Sequence, residues 1–563
     1  MGNTAGAQDS NAFVASISQE YRGSRCTTLP DSSTLTYEGV FNEHLFHAGP
    51  PEKEHACATT LFPFVSEGLP WLAIWLKSCM DGAPRSQSIE LSVVIDISGS
   101  MSWGMKDGAR VRQAPGASRL DYAVKAVATL LHESLRPDDS IAISTFNQEG
   151  TVLQPLTQVS HLNKEECLWA VRQLQPRGGT TLSAGMDVGR SVFDEAADHS
   201  QASAKRILFL TDMDDMSSTQ LGEQIKRNAS DGIYVSIVGM GVAFNSQLTD
   251  TVSKNKGSNY FCVTDEAQLR QCLLEDFTFN FFPCAFEINV YIRSGSWTVQ
   301  RVFGTPFETT EQENLSLRWS PKTDALYPEE TRKHASRLSQ HLPAPLVNEV
   351  VSNLPPPKQS VTEINTLFPS RLREDGAMKG GLILVQLEAA GGALTEGRAL
   401  QVTLEYEDLQ GMACNRTQDI SIANVEDHYC TPDLAIQQSL QKGLLLQKYA
   451  QMCRRHMDLV NKTAIDPDLE LEKQNVHEML RAVGGLQVEL DSWKRRSGQF
   501  VGDDKMETVM KTYEAFAGIV ERAVVDRQKE LAKREEWERE RPQREARIAE
   551  ERAAWEAQSA AQR

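Results

Sequence analysis

The stretch Ile89–Ser100 reads IELSVVIDISGS. Seven residues, Ile89 to Ile95, form an apolar run of the kind a buried strand needs. Asp96, Ser98 and Ser100 then fall in the turn that follows, and a helix-like segment opens at Arg119. An aspartate and two serines offer hard oxygen donors, with no sulfur or imidazole among them. That is ligand chemistry for Mg²⁺ or a similar hard cation. If the loop holds a metal, the chain is expected to be a binding module rather than a catalyst.

Outward from this stretch, strands alternate with amphipathic helices. Strands are predicted at Ile89–Ile95, Ser140–Phe146, Arg206–Thr211, Ile233–Gly239 and Asn259–Val263. Helices are predicted at Arg119–Leu135, Lys164–Leu174, Leu182–Phe193, Ser218–Ala229 and Glu266–Leu274. In the first helix Leu120, Val124, Val127, Leu130 and Leu131 share one face. Such alternation over residues 88–275 predicts an α/β domain, a doubly wound parallel sheet with helices on both faces.

The flanks have a different period. Residues 1–20 are polar and form a flexible N-terminus. Residues 21–87 carry short strand-like runs (34–40, 58–65, 71–77). Residues 276–430 return to strands at 285–292, 298–302, 315–319, 382–388 and 400–406, with a helical hairpin at 328–351. They predict a β-sandwich. The segment 21–87 is too short for its own core, so it completes this sandwich and the α/β domain is inserted between. Residues 431–500 read as helical, with Thr431 as a helix cap and Pro432 at the first position. Residues 501–563 read as a long charged helix whose end, from Arg527, is a solvated tail or a coiled-coil partner helix.

Composition sets outer limits. At 563 residues the chain exceeds one ordinary core. A formal net charge of -18 argues against nucleic acid, because neutralising phosphates needs a surplus of Lys and Arg. The first thirty residues hold no apolar core of the roughly 7–15 residues a signal peptide requires. Leu69–Leu76, the most apolar window, is far short of the roughly 20 residues of a membrane span. The ten cysteines include no C-x-x-C pair. Together these predict reduced thiols and a cytoplasmic location. The start, MGNTAG, fits an acylation site at Gly2 in part, but Gly6 stands where Ser or Thr is wanted. A membrane contact would depend on that acylation. His44, His47, His55 and Cys57 match no standard zinc spacing and read as incidental.

Two more elements converge on the first loop. Asp212 follows the strand that begins at Arg206, so it shares a sheet edge with Asp96. The Gly-rich loop Arg177-Gly178-Gly179-Thr180-Thr181 precedes a helix and can bring Thr180 near. In a doubly wound sheet that edge is where ligands bind. Two carboxylates and three hydroxyls under-neutralise a divalent cation, so an anionic ligand from a partner completes the site.

The D-x-S-x-S loop, the Gly-Gly-Thr loop and the later Thr-Asp resemble the metal-ion-dependent adhesion site of von Willebrand factor type A domains. The resemblance covers residues 88–275. It includes Leu135–Phe146 (LRPDDSIAISTF) and Gly232–Gly241 (GIYVSIVGMG). It implies a Rossmann-like fold and a Mg²⁺ or Mn²⁺ site of Asp96, Ser98, Ser100, Thr180 and Asp212, some acting through water. It also implies capture of an Asp or Glu from a protein partner. Short flanking stretches, Tyr37–His44, Gly380–Leu387 and Val402–Asp408, resemble intracellular-type members, including inter-alpha-trypsin-inhibitor-like and chloride-channel-like proteins. One departure is Met213 where the family has Gly, followed by Asp214 and Asp215.

The leading expectation is therefore a non-enzymatic, metal-dependent protein-interaction module. An alternative is a structural part of a cytoskeletal or membrane-associated assembly, with the metal only stabilising the loop. A further alternative is a Mg²⁺-dependent phosphoryl-transfer enzyme with Asp96 as nucleophile. Haloacid-dehalogenase-like phosphatases carry a second Asp two positions on, where this chain has Ser98.

Overall fold

The computed structural model describes residues 29, 32, 35–105, 117–194, 203–212, 218–241, 252, 255–263, 265–305, 358–389, 398–422, 431, 433–462 and 468–561. They divide into two units, one holding Thr36–Gln447 and the other Lys448–Arg563 with part of the N-terminal segment.

The first unit opens with helix α1 (Tyr37–Asn42), where a strand over 34–40 was expected. The Thr36 hydroxyl accepts a hydrogen bond from the Gly39 amide at 3.0 Å. That local cap, with all six helical residues buried, overrides the β-branched bias of the segment. Strands β1 (Leu45–His47), β2 (Ala58–Ser66) and β3 (Leu69–Lys77) follow. Glu67 and Gly68, with φ of 55° and 72°, make the tight β2–β3 turn.

The chain then runs through β4 (Ile89–Asp96), α2 (Arg119–Thr129), β5 (Ser140–Phe146), β6 (Gly150–Gln158), α3 (Lys164–Arg172), α4 (Leu182–Asp194), β7 (Ala204–Thr211), α5 (Ser218–Ser230), β8 (Ile233–Met240), β9 (Asn259–Val263) and α6 (Glu266–Arg270). Their sheet has the order β6-β5-β4-β7-β8-β9. All neighbours are parallel except β6, which pairs antiparallel with β5. The sheet is therefore mixed, where an all-parallel one was expected. The Asn147 side chain accepts from the amides of Gln148 and Glu149 at 2.6 and 3.2 Å. That turn is too short for a crossover helix and forces a hairpin. Pro155 is tolerated because β6 is an edge strand.

The sheet is buried on both faces, Leu91, Val93 and Ile95 in one core and Val94, Phe146 and Phe209 in the other. α4 lies unusually close to it. A Cβ on Gly185 would stand 2.8 Å from Phe209, and one on Gly189 would stand 2.7 Å from Val94. These two glycines, one helical turn apart, let the helix down onto the sheet.

After α7 (Phe277–Phe281) come β10 (Ala285–Arg293), β11 (Trp297–Phe303), β12 (Lys358–Leu367), β13 (Ala377–Lys379), β14 (Leu382–Ala389), β15 (Arg398–Glu407) and β16 (Ala413–Ile422). β13 pairs with β1, and the others join β2 and β3 in two four-stranded sheets, β12-β10-β15-β16 and β11-β14-β3-β2, around one apolar core. β3 pairs with β14, Trp75 opposite Leu382. The segment before the α/β domain thus supplies two strands of the sandwich, and the domain is inserted as the sequence implies. The strand expected at 315–319 and the helical hairpin at 328–351 lie outside the described residues, as do residues 1–20 and 213–217.

In the second unit, α8 (Leu434–Lys462) contributes from Lys448 onward and packs with α9 (Leu469–Ser497) and α10 (Asp504–Ala561). At the start of α8 the cap is Asp433, not Thr431. Its carboxylate accepts from the amides of Ala435 and Ile436 at 2.9 and 3.3 Å, while the Thr431 hydroxyl accepts from the Asp433 amide. A carboxylate competes better for those amides than a hydroxyl. Tyr449, Trp493 and Tyr513 meet edge-on or tilted, with centroids 5.4–6.5 Å apart. Arg527 pairs with Glu472 at 2.9 Å, both buried. Beyond that point α10 is mostly exposed and carries i,i+4 pairs such as Arg541–Glu545 and Arg544–Glu540. Among the described residues no helix is long and apolar enough to cross a membrane.

One buried ion pair closes the inserted domain. Arg85, at its entry, donates to both carboxylate oxygens of Asp139 at 2.8 and 2.5 Å. The same guanidinium lies 5.4 Å from the rings of Phe277 and Phe282, at the exit. Asp139 also accepts from the amides of Ile89 and Arg136. Asp139→Ala leaves Arg85 buried and unpaired, and should cost about 3–5 kcal/mol in chemical denaturation. The double variant Arg85→Met/Asp139→Leu should recover part of that loss. A cost below ~1 kcal/mol for the single variant would show that the pair is not a closure.

Candidate metal centre

The order of the central sheet reverses between β4 and β7. The chain moves outward from β4 to β5 and β6, then returns across β4 to lay down β7. The carboxyl ends of these two strands therefore flank an open crevice. Asp96 is the last residue of β4, and Asp212 follows β7 directly. Both are buried, at 0% and 1% exposure.

The loop after β4 is built by Asp96. Its Oδ1 accepts from the Ser98 amide at 2.8 Å, and its Oδ2 accepts from the Thr211 hydroxyl at 2.7 Å. The Ser98 and Ser100 hydroxyls lie 3.1 Å apart, both buried. The Gly-rich loop runs alongside. The Arg177 amide donates to the Ile97 carbonyl at 2.7 Å, and the Gly99 amide donates to the Gly178 carbonyl at 3.1 Å. Gly178 has φ of 78°, which favours glycine there. Asn147 fixes the loop's other side, accepting from the Thr181 amide and donating to the Arg177 carbonyl. Thr180, half-buried, stands two residues beyond Gly178 at the same rim.

Asp212 has a partner that sequence reasoning missed. Arg119 Nη1 donates to Asp212 Oδ2 at 2.6 Å, and both side chains are buried. Asp212 Oδ1 is buried and, among the described residues, has no hydrogen-bond donor. Arg119 lies 5.3 Å from the Trp103 ring centroid, and its amide donates to the Trp103 carbonyl. Gly241, with φ of 99°, leaves the space: a Cβ there would stand 3.0 Å from Arg119 Nε. A signal for Arg119 existed in the sequence. It occupies the first position of α2, inside the Ser118–Asp121 capping box. A cation at a helix N-terminus opposes the helix dipole and calls for a nearby anion. Thr211 belongs to the Thr-Asp pair that the sequence singles out, and the structure gives it a role the sequence did not assign: its hydroxyl holds Asp96.

Burial, and secondarily the Asp212 carboxylate, push Asp96 up to about 6 from an ordinary 3.8. The residues fit a hard divalent cation. Every donor is oxygen, and one buried carboxylate oxygen is left without a donor. Among the described residues no three His, Cys, Asp or Glu side chains are placed to share a metal, so a cation here depends on the hydroxyls. The structure gathers Asp96, Ser98, Ser100 and Asp212 at one sheet edge and sets the Thr180 loop against them. Asp214 and Asp215 lie outside the described residues.

Residues 90–275 match the family model of the von Willebrand factor type A domain, and this segment is such a domain. Over 176 residues the chain is 26% identical to calcium-activated chloride channel regulator 4 of Homo sapiens, a match covering 31% of this chain and 17% of that protein. Among solved structures it is similar to a von Willebrand factor type A protein from Catenulispora acidiphila. That match has 13% identity and a TM-score of 0.40, and covers 83% of this chain and 91% of that one. It is also similar to the ArnB paralog VWA2 from Sulfolobus acidocaldarius, with 10% identity and a TM-score of 0.34, covering 84% and 98%. A manganese-loaded Plasmodium vivax TRAP protein matches at 17% identity with a TM-score of 0.25, covering 31% and 68%.

The raised Asp96 carboxyl fixes a pH dependence for the metal-free protein. The folded state binds the proton more tightly than the unfolded state, so the stability this group contributes is full below pH ~4 and is lost as pH rises to about 6. The loss is on the order of 3 kcal/mol. In the presence of chelator, Asp96→Asn should flatten the slope relative to wild type and melt above it at neutral pH. The same slope in wild type and Asp96→Asn between pH 4 and 6 would contradict a carboxyl raised by its burial.

Proposed function

We propose that the inserted domain is a non-catalytic, cation-dependent protein-binding module. Asp96, Ser98, Ser100, Thr180 and Asp212 would hold Mg²⁺ or Mn²⁺, some of them through water. The observation that carries this reading is the buried Oδ1 of Asp212, which among the described residues has no hydrogen-bond donor, at the same sheet edge as the Ser98–Ser100 hydroxyl pair. A buried carboxylate oxygen without a donor costs free energy that a bound cation offsets. When bound, the ion supplies a Lewis-acid seat for one anionic oxygen. The chain's own residues do the rest. Asp96 has both oxygens engaged by Ser98 and Thr211, so it organises the loop and presents the serine hydroxyls. The 177–181 loop, bonded to Ile97 and Gly99, would bring Thr180 to the ion.

A protein carboxylate, Asp or Glu, is the partner chemistry that such a seat favours. The net charge of -18 makes nucleic acid a poor partner. Among the described residues no disulfide joins two cysteines, which supports a reducing compartment such as the cytoplasm.

Calorimetric titration of the full chain with Mg²⁺ or Mn²⁺ tests the site: wild type should bind one ion, and Asp96→Ala should bind none while keeping its helical and strand signal. Pull-down from native extract tests the function, with capture expected to vanish in chelator and in Asp96→Ala. If chelator lowers the melting temperature yet leaves captured complexes intact, the ion is structural and the adhesion reading fails.

A further inference from the structure

We propose that Arg119 sets the charge of this centre: it neutralises Asp212 in the metal-free state, and the same charge holds cation affinity down and makes the loaded centre select an anionic ligand. The inference rests on the metal reading above and adds a residue and a specificity to it.

Its basis is the form of the contact. A guanidinium that staples a carboxylate frequently does so through two parallel bonds. Arg85 does so with Asp139 in this same domain. Among the described residues Arg119 instead donates a single bond, Nη1 to Oδ2, and Oδ1 has no donor. Its own Nε is also buried without an acceptor. The pair thus forgoes its second bond and keeps one carboxylate oxygen presentable. Trp103 confines the guanidinium from its ring face, and Gly241 makes room for it.

The charge count then decides the chemistry. Asp96, Asp212 and Arg119 together carry one net negative charge. Without a metal, that is less repulsion than two bare buried carboxylates would suffer. With a divalent cation, the centre carries one net positive charge. Were Arg119 neutral, the loaded centre would carry none, and an incoming carboxylate would gain much less. Arg119 therefore weakens cation binding and strengthens binding of an acidic ligand, two effects of opposite sign from one side chain.

The test compares wild type, Arg119→Gln and Arg119→Lys, each as the full chain. Mn²⁺ affinity is measured by calorimetry. Acetate is then titrated into the Mn²⁺-loaded proteins, and displacement of metal-bound water is followed by proton relaxation. Arg119→Gln should bind Mn²⁺ at least about tenfold more tightly, the effect of removing one unit charge a few ångströms away at an effective dielectric of ~20. It should melt below wild type in chelator and bind acetate more weakly once loaded. Arg119→Lys, which keeps the charge, should stay within a few-fold of wild type. Equal or weaker Mn²⁺ binding by Arg119→Gln, with wild type binding normally, overturns the charge-setting role and leaves the metal reading intact. No binding by wild type overturns both. Should Arg119→Gln fail to fold without metal, chelator competition on the loaded protein makes the same comparison. A variant that then surrenders Mn²⁺ more readily than wild type overturns the proposal.

Discussion

Two carboxylates withheld from water organise the central domain. Burying an ionised group costs several kcal/mol after relaxation, and placing a second one nearby adds repulsion. The push on Asp96 toward neutrality registers that cost. It is offset by donors from separate elements: the Thr211 hydroxyl at the end of β7, the Ser98 amide in the loop after β4, and the Arg119 guanidinium at the start of α2. None of these is near both aspartates in sequence. The centre therefore exists only once the sheet has formed in the right order, with β4 beside β7. The order reversal that opens the crevice also brings the two acids together.

What the sequence disclosed follows from how local each cause is. Asp96, Ser98 and Ser100 stand within five residues, after an apolar run whose eight-residue strand is wholly buried. Asp212 was found because it repeats that arrangement one strand away. The insertion was legible because 21–87 holds strands without a core, and β3 duly pairs with β14. β6 stayed hidden because Pro155 breaks its pattern, and its antiparallel direction depends on the Asn147 turn. α1 was misread because one hydroxyl, that of Thr36, outweighs the propensities of the residues around it. At α8, Thr431 and Asp433 both have capping side chains, and only geometry shows that the carboxylate holds the helix amides. Arg119 is the instructive omission. Its position at a helix start is locally unfavourable, and an unfavourable residue that is also buried points to a partner elsewhere.

The insertion itself has a functional consequence. The inserted domain meets its sandwich along the edge where its strands begin. The Gly257 amide, just before β9, donates to Thr366 Oγ1 of β12 at 2.7 Å. Lys256 pairs with Glu407 of β15 at 2.5 Å. Arg206, near the start of β7, lies 5.7 Å from the ring of Phe368, and burial pushes its guanidinium down to about 9. Arg85 closes the same edge, tying entry to exit. From there β4 runs eight residues, roughly 26 Å at about 3.3 Å each, before it reaches Asp96. Scaffold and centre thus occupy opposite ends of the same strands. The sandwich can hold the domain by one edge without contributing to the other. The charge balance of the centre is then set inside the domain, by Asp96, Asp212 and Arg119, and the scaffold fixes only where that balance is presented.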